Sequence, residues 1–178
     1  MKKQIFAILM VLLLMLAFAA CSGDKKSSSA PISGEIHSTG VFKVMNPKNW
    51  LIIPFIFNGE PDPANVGIYK GAKNEMDMMS TPGLQISYPS TRARQSKDDR
   101  YMYTDVSDLE PIKIGNNTWE GFTAKTSGRP FAILWTDARD EKIQVTIWLE
   151  VNKKKLAVTD ADVQAIIASI TLEPEKSP

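Results

Sequence analysis

Apolar and polar residues alternate along the second half of the chain, and this alternation predicts antiparallel β-strands. Every second position from Ile143 to Val151 is apolar, whereas Gln144 and Thr146 stand between them. This pattern is typical of a strand with one face in a core and the other turned outward. In residues 131–136 both sets of alternate positions are largely apolar, so the two faces differ less, and we expect this strand to lie nearer the middle of the sheet.

Apolar runs and turn residues elsewhere extend the pattern to a sheet of several strands. Pro54 interrupts the run Leu51–Phe57, which favours an edge strand because proline cannot donate to the ladder. Gly115 and Asn116 tolerate the positive φ of a tight turn and predict a hairpin. We predict strands at residues 41–44, 51–57, 66–69, 84–88, 112–114, 119–124, 131–136 and 143–151, loops at 58–65, 92–100 and 137–142, and a brief helix at 72–79.

One amphipathic helix is predicted near the end of the chain. Thr159 or Asp160 can cap it, and Asp162 in the first turn favours the positive end of the helix dipole. An apolar stripe at helical spacing must then lie on the sheet, and its members are Val163, Ile166, Ile167 and Ile170. A final extended segment is predicted at residues 171–173.

The first twenty residues have the layout of a secretory signal. Lys2 and Lys3 precede an uninterrupted apolar run from Ile5 to Ala20. A membrane-spanning helix needs about 20 apolar residues, and this run is shorter. An uncleaved transmembrane anchor is therefore the weaker interpretation.

The end of this run resembles the lipobox of bacterial lipoproteins. The matching residues are Phe18-Ala19-Ala20-Cys21, with Phe18 where the family usually has an aliphatic residue. The resemblance implies that Cys21 is lipidated and becomes the first residue of the mature protein. An ordinary signal followed by a chance cysteine is the alternative, but an only cysteine in a secreted chain calls for a specific explanation.

Composition divides the rest of the chain and limits its partners. We predict a signal peptide at residues 1–20, a flexible lipid-anchored linker at 21–34, one domain at 35–174 and a tail at 175–178. Removing residues 1–20 takes away two lysines and no acid, which leaves 19 basic against 20 acidic residues. So balanced a chain has no long-range field to attract nucleic acid, and we predict no nucleic-acid partner.

Two stretches resemble the PsbP-like superfamily, which includes the photosystem extrinsic subunit, the Ran-binding Mog proteins and many bacterial lipoproteins. They are Gly40–Val44 followed by Pro47-Lys48-Asn49-Trp50, and the C-terminal segment Asp160–Ile170. The resemblance implies an α+β fold in which helices pack on both faces of an antiparallel sheet, an α/β/α sandwich. It implies no single activity, because members of the family serve as accessory and adaptor proteins in unrelated systems.

The residue types needed for catalysis or metal binding do not form a recognisable set. His37 is the only histidine, so neither a Ser-His-Asp triad nor a zinc site of the usual ligands is predicted. Two groups of oxygen ligands read as solvated turns unless an ion is shown: Asn58, Glu60 and Asp62, which fail the EF-hand pattern, and Asp137, Asp140 and Glu141. We therefore expect no cofactor, no metal and no catalytic residue.

Three tryptophans are the candidate binding surface: Trp148, Trp119 and Trp50. Trp148 is the most informative, because it shares a strand face with polar residues. It is either covered by another element or left exposed as a binding anchor. Basic residues at 153–155 and between Arg92 and Arg100 are interrupted by acids, so a solvated face is favoured over contact with lipid head groups.

Together these features predict a non-enzymatic lipoprotein on the extracytoplasmic side of the cell membrane. Its partners are expected to be membrane lipid, through acylated Cys21, and a protein of the cell envelope. A lipoprotein that binds a small solute between the sheet and its loops is the main alternative. A hydrolase acting on the envelope is a weaker one.

Overall fold

A computed structural model of the chain describes residues 32–89 and 99–174. The predicted signal peptide, Cys21, nearly all of the predicted linker, the tail at 175–178 and all of the basic stretch before Asp99 lie outside these residues. None of the helices in the two described ranges has the length and apolar character needed to cross a bilayer.

A seven-stranded antiparallel sheet forms the centre of the domain. Its strands lie in the order β3-β4-β5-β9-β8-β7-β6. The strand that contains Ile143 is the central one of the seven, and the strand that contains residues 131–136 is next to it, so the expectation that the latter lies nearer the middle was wrong. The strands are β3 (Trp50–Phe57), β4 (Glu60–Lys70), β5 (Gly83–Ser87), β6 (Thr104–Ile114), β7 (Asn117–Thr126), β8 (Arg129–Ala138) and β9 (Glu141–Trp148).

A second, three-stranded sheet and one helix pack on one face of the large sheet. The small sheet has the order β1-β2-β12, and β10 and β11 form a separate hairpin. The helix α1 covers Ala161–Ala168, close to its predicted position. The short strands are β1 (Gly34–Ser38), β2 (Phe42–Pro47), β10 (Glu150–Val151), β11 (Lys154–Lys155) and β12 (Thr171–Leu172).

The main core lies between these layers. Val163, Ile166 and Ile167 of α1 are buried, which confirms the predicted apolar stripe. They pack with Phe42 and Val44 of β2 and with the large sheet in one cluster. Ser169 ties the end of the helix to β2, because its Oγ accepts the Met45 N–H at 2.8 Å and donates to the Ile166 carbonyl at 2.6 Å.

The opposite face of the sheet carries a smaller aromatic core. Its buried members are Phe122, Ala124, Phe131, Ile133 and Trp135. A 3-10 helix at Asp99–Met102 and the following Tyr103 border this cluster. Helix α1 is the one α-helix among the described residues, so the architecture is α+β, mainly sheet, and the helix expected on this second face is not seen there.

The prediction of a loop at residues 58–65 was wrong. Asn58 and Gly59, both with positive φ (53° and 86°), form a two-residue turn, and β4 begins at Glu60. Pro61 and Pro63 do not break the strand, because β5 pairs with β4 only from Asn65 onward. On the side of β4 that faces away from β3, no strand of the described residues pairs with the proline segment, so the missing N–H groups cost no ladder bond.

Two further predictions changed in detail. Residues 72–79 contain a 3-10 helix at Glu75–Met79 rather than an α-helix, and the Asn74 side chain accepts the Met76 N–H. The predicted turn at 137–142 is shorter, because Asp137 pairs with Lys142 and Ala138 with Glu141. Arg139, with φ of 56°, and Asp140 make the turn.

Both outer strands of the large sheet are irregular. β3 is an edge strand, as predicted, and its register shifts between Pro54 and Ile56. β6 is the other edge, with Pro111 in it and register shifts on either side of the Ser107–Leu109 segment. Prolines and bulges of this kind prevent an edge from pairing with another chain.

Candidate functional site

Trp50 borders a cleft at the end of the large sheet. It is the first residue of β3 and stands directly opposite Lys70, the last residue of β4. The Lys70 Nζ lies 5.6 Å from the centroid of the Trp50 ring and 2.6 Å from Asp162 Oδ2 at the start of α1. The cleft has a volume of about 490 Å³, and Ile32 and Lys48 also line it.

A neighbouring hollow of about 430 Å³ shares Trp50 and Lys48 with this cleft. Asn46 lies at its wall, and its side-chain oxygen Oδ1 is buried without a hydrogen-bond partner. A buried acceptor left unpaired is unfavourable by about 1–3 kcal/mol. Because this oxygen is itself buried, it does not mark an open binding position in the hollow.

Trp148 lies at the border of the aromatic core on the other face. It stands directly opposite Phe131 in the sheet, and their ring centroids are 5.8 Å apart. Its side chain is half-buried, and β9 ends with it. The structure thus gives Trp148 an intermediate position, with one side packed on the cluster and the other at the surface.

The 3-10 helix Asp99–Met102 and the following Tyr103 pack on this cluster. The Arg100 guanidinium carbon lies 4.7 Å from the Phe122 ring centroid, and Arg100 Nη1 is 2.6 Å from Asp108 Oδ1. Tyr103 packs edge-on against Phe131 at 5.0 Å. These contacts occupy the face on which the sequence led us to expect a helix.

Trp119 belongs to the main core. Its side chain is 1% exposed, and its indole Nε1 is buried without a hydrogen-bond partner. It is therefore not part of a surface, and the three tryptophans do not form one site. Trp50 lies in the main core cluster beside the cleft, and Trp148 lies against the aromatic cluster.

Two of the oxygen ligands considered for a metal, Asp62 and Asp137, have other partners. Asp62 Oδ1 accepts the Ala64 N–H at 2.9 Å, and its Oδ2 accepts Asn65 Nδ2 at 2.6 Å. Asp137 pairs with Lys142 at 2.5 Å. Within the two described ranges, no three His, Cys, Asp or Glu side chains gather in a way that could hold a metal ion.

His37 lies on β1, opposite Val44 of β2. This places the only histidine of the chain in the small sheet, and no described contact joins it to a nucleophile. Lys153 belongs to the turn between β10 and β11, and Lys155 pairs with Glu150 at 3.5 Å.

The tip of the β3–β4 hairpin is an apolar surface that the sequence analysis missed. Ile56 is 62% exposed and Phe57 is 69% exposed. They are consecutive in a strand, so they point to opposite faces of the hairpin and make both faces apolar. Two apolar residues directly before the Asn58-Gly59 turn are the signal that could have revealed this tip.

Comparisons with known proteins add little. No protein-family profile matches the chain, and no curated protein is significantly similar to it. A crystal structure of a protein from Bacteroides thetaiotaomicron VPI-5482 is similar in fold, with a TM-score of 0.47 and 14% sequence identity. The match covers 81% of this chain and 50% of that protein, so this chain spans about half its length.

Proposed function

We propose that this protein is a lipid-anchored lipoprotein on the extracytoplasmic side of the cell membrane, and that its domain is a non-enzymatic module that binds a protein of the cell envelope. The observation that carries the anchor is Phe18-Ala19-Ala20-Cys21 directly after the apolar run that begins at Ile5. Cys21 is the only cysteine of the chain, so lipidation would leave the domain without a thiol.

The hairpin tip supports the binding role. Ile56 and Phe57 expose large apolar side chains directly before the two-residue turn, and exposed Pro61 stands opposite Ile56. Aromatic residues are enriched in protein interfaces because they bury much area at little conformational cost. We propose the tip as the contact with the envelope protein.

The anchor is tested by the mass of the amino terminus. The protein is purified from cell membranes, and we expect the mature chain to begin with a diacylated Cys21. The variant Cys21→Ser should keep residues 1–20 and carry no diacylglycerol, because the serine hydroxyl does not replace the thiol that accepts the lipid. An unmodified amino terminus on the wild-type protein contradicts the proposal.

The tip is tested by photocrosslinking in intact cells. A photoreactive amino acid replaces Phe57 in one strain and Ile36 in another, because Ile36 is also 62% exposed but lies in the small sheet. We expect one discrete adduct from position 57, and the additional change Ile56→Ser should remove it. Equal adducts from both positions would show that the tip has no selective partner.

A small-solute binding role is the second candidate, and the hollow of about 430 Å³ beside Trp50 favours it, because the polar residues Glu35 and Asn46 line it. A ligand that binds the folded state raises its melting temperature by mass action. A screen of small hydrogen-bond donors should then show a shift with the wild-type protein that Asn46→Ala abolishes. If no donor stabilises the wild-type domain, this second candidate fails and the protein-binding role is unaffected.

We also propose that the domain is PsbP-like. Support comes from Pro47 at the end of β2, Trp50 at the start of β3, and a C-terminal helix followed by Ser169. An experimental structure that aligns over the whole sheet with a member of that superfamily would support the assignment. A different strand order in that structure would contradict it.

A further inference from the structure

The described chain begins at the same end of the large sheet as the β4–β5 connection. Ile32 and Ser33 line the cleft with Trp50 and Lys70. The β4–β5 connection begins after Lys70 and ends beside the same residue, because the Lys70 N–H donates to the Pro82 carbonyl at 3.0 Å. We refer to this part of the domain, Ile32–Ser33 with Trp50 and residues 70–82, as the proximal end.

Two methionines project from the proximal end. Met76 is 84% exposed and Met79 is 64% exposed, and both belong to the 3-10 helix Glu75–Met79. Side chains three residues apart eclipse one another in a 3-10 helix, so the two thioethers project on the same side. The Ser80 and Thr81 hydroxyls donate to the Asp77 carbonyl at 3.1 and 2.9 Å, which fixes the end of this turn.

Charges around the pair nearly balance. The β10–β11 hairpin reaches the same end, where Asn152 Nδ2 donates to the Ser80 carbonyl at 3.5 Å, and it brings the exposed Lys153 with it. Exposed Lys73 precedes the 3-10 helix that carries the two methionines and contains Glu75. The backbone N–H of Lys73 donates to the carboxylate of Asp77 in that helix. The apolar pair, rather than an electrostatic field, is therefore the distinguishing property of this surface.

The chain between Cys21 and Ile32 joins the proximal end to the proposed anchor. Ten residues lie between them, and the eleven steps from one Cα atom to the next span at most about 40 Å when fully extended. The hairpin tip is remote from the proximal end, because Trp50 and Phe57 are the first and last residues of the eight-residue strand β3, about 23 Å apart. If Cys21 carries lipid, the methionine pair is at the end of the domain from which the anchor leaves.

We propose that the proximal end contacts the surface of the lipid bilayer, and that Met76 and Met79 enter the interface between head groups and acyl chains. This inference rests on the proposed lipid anchor. Methionine suits the contact because its unbranched, polarizable side chain adapts to an irregular apolar environment. Two side chains alone would hold a free domain weakly, but tethering supplies an effective concentration on the order of millimolar.

The contact would orient the domain. With the proximal end on the bilayer, the tip formed by Ile56 and Phe57 points away from the membrane toward envelope proteins. The methionine pair and the hairpin tip then have different partners, and their roles can be separated by substitution at either one.

Site-specific fluorescence quenching tests the orientation. The full chain, with its amino-terminal mass measured, is reconstituted in phosphatidylcholine vesicles that contain a shallow nitroxide lipid. A bimane label is placed on Glu75→Cys beside the methionines or, as the matched control, on Glu60→Cys at the hairpin tip; both glutamates are exposed. We expect quenching to be severalfold stronger at position 75, and Met76→Gln with Met79→Gln to reduce it to the level of position 60.

Equal quenching at the two positions, stronger quenching at position 60, or quenching at position 75 that the methionine substitutions leave unchanged would each overturn the inference while the lipid anchor stands. An unmodified Cys21 in the mass measurement would overturn the anchor, and the bilayer contact with it. Melting curves of each variant in detergent confirm that the domain remains folded. Replacing part of the phosphatidylcholine with phosphatidylglycerol should change the quenching little, and a strong increase would contradict the apolar character of the contact.

Discussion

The central carbon of the Arg100 guanidinium lies 4.7 Å from the centroid of the Phe122 ring. The same group holds Asp108 of the edge strand at 2.6 Å. One side chain therefore joins the 3-10 helix to the aromatic core and to β6. A surface arginine in this position acts through its packing as much as through its charge.

Arg100→Ala is expected to destabilise the domain by about 1–2 kcal/mol, because a partly desolvated cation–π contact is lost together with the cover over Phe122. Chemical denaturation followed by tryptophan fluorescence measures the change. Arg129→Ala is the control, since Arg129 is exposed at the start of β8, and it should change stability by less than about 0.5 kcal/mol. Similar losses for the two variants would show that the contact on Phe122 contributes nothing.

The tryptophans should differ in their contributions to stability. Trp119→Ala empties a fully buried site and is expected to cost about 3–5 kcal/mol. Trp148→Ala removes a half-buried ring that packs on Phe131, and we expect about 1–3 kcal/mol. Denaturant midpoints at unchanged slope measure both. A larger loss for Trp148 than for Trp119 would mean that the aromatic face, rather than the main core, dominates stability.

Ser169→Ala should weaken the attachment of the helix to the small sheet. It leaves the N–H of Met45 without its acceptor, and the loss of such a partner costs about 1–3 kcal/mol. Thermal melting followed by circular dichroism gives the difference. Gln164→Ala on the same helix serves as the control, with an expected effect below about 0.5 kcal/mol. An equally stable Ser169→Ala would show that water replaces the hydroxyl.

Tyr69 should make the domain less stable at high pH. Burial raises the pKa of the Tyr69 phenol above its usual value of 10.0. The unfolded chain then loses this proton first, so the free energy of unfolding falls as the pH rises from about 10 through the folded-state pKa. Denaturation between pH 8 and pH 11 should show this fall as a difference between the wild type and Tyr69→Phe.

Tyr101→Phe provides the control for that measurement, because Tyr101 is exposed. It should follow the pH dependence of the wild type. If Tyr69→Phe also follows it, ionisation of Tyr69 does not contribute to the loss of stability in alkali.

The periodicity of apolar residues predicted those elements that have one face in the main core and another face outside it. The apolar positions from Ile143 onward alternate because one face of β9 packs into the main core, and the stripe from Val163 to Ile167 recurs because α1 has one buried side. In the first half, Pro61 and Pro63 concealed a strand. Whether a proline breaks a strand depends on how far the neighbouring strand extends. Here the neighbouring strand is β5, and its pairing with β4 begins at Asn65 and Ser87, which are 22 residues apart in the chain.

The candidate surfaces were harder to predict than the fold. Trp119 and Trp148 look alike in sequence, yet Trp119 points into the main core and Trp148 lies against the aromatic core on the other face. Both faces of β7 have buried residues. The order of apolar and polar residues in this strand therefore does not indicate which face could be a binding surface. The exposure of Met76 depends on a 3-10 helix that buries none of its residues, and a short helical segment does not reveal this in its sequence.

Pro54 and Pro111 stand in the two outermost strands, each beside a shift of register. A neighbouring copy therefore finds no regular row of backbone donors and acceptors on which to extend the large sheet. Many such molecules can be crowded on one surface without their large sheets joining into fibres. A protein that binds at the edges of this sheet must instead recognise side chains, so its selectivity is set by shape and chemistry at positions such as Phe57 rather than by main-chain complementarity.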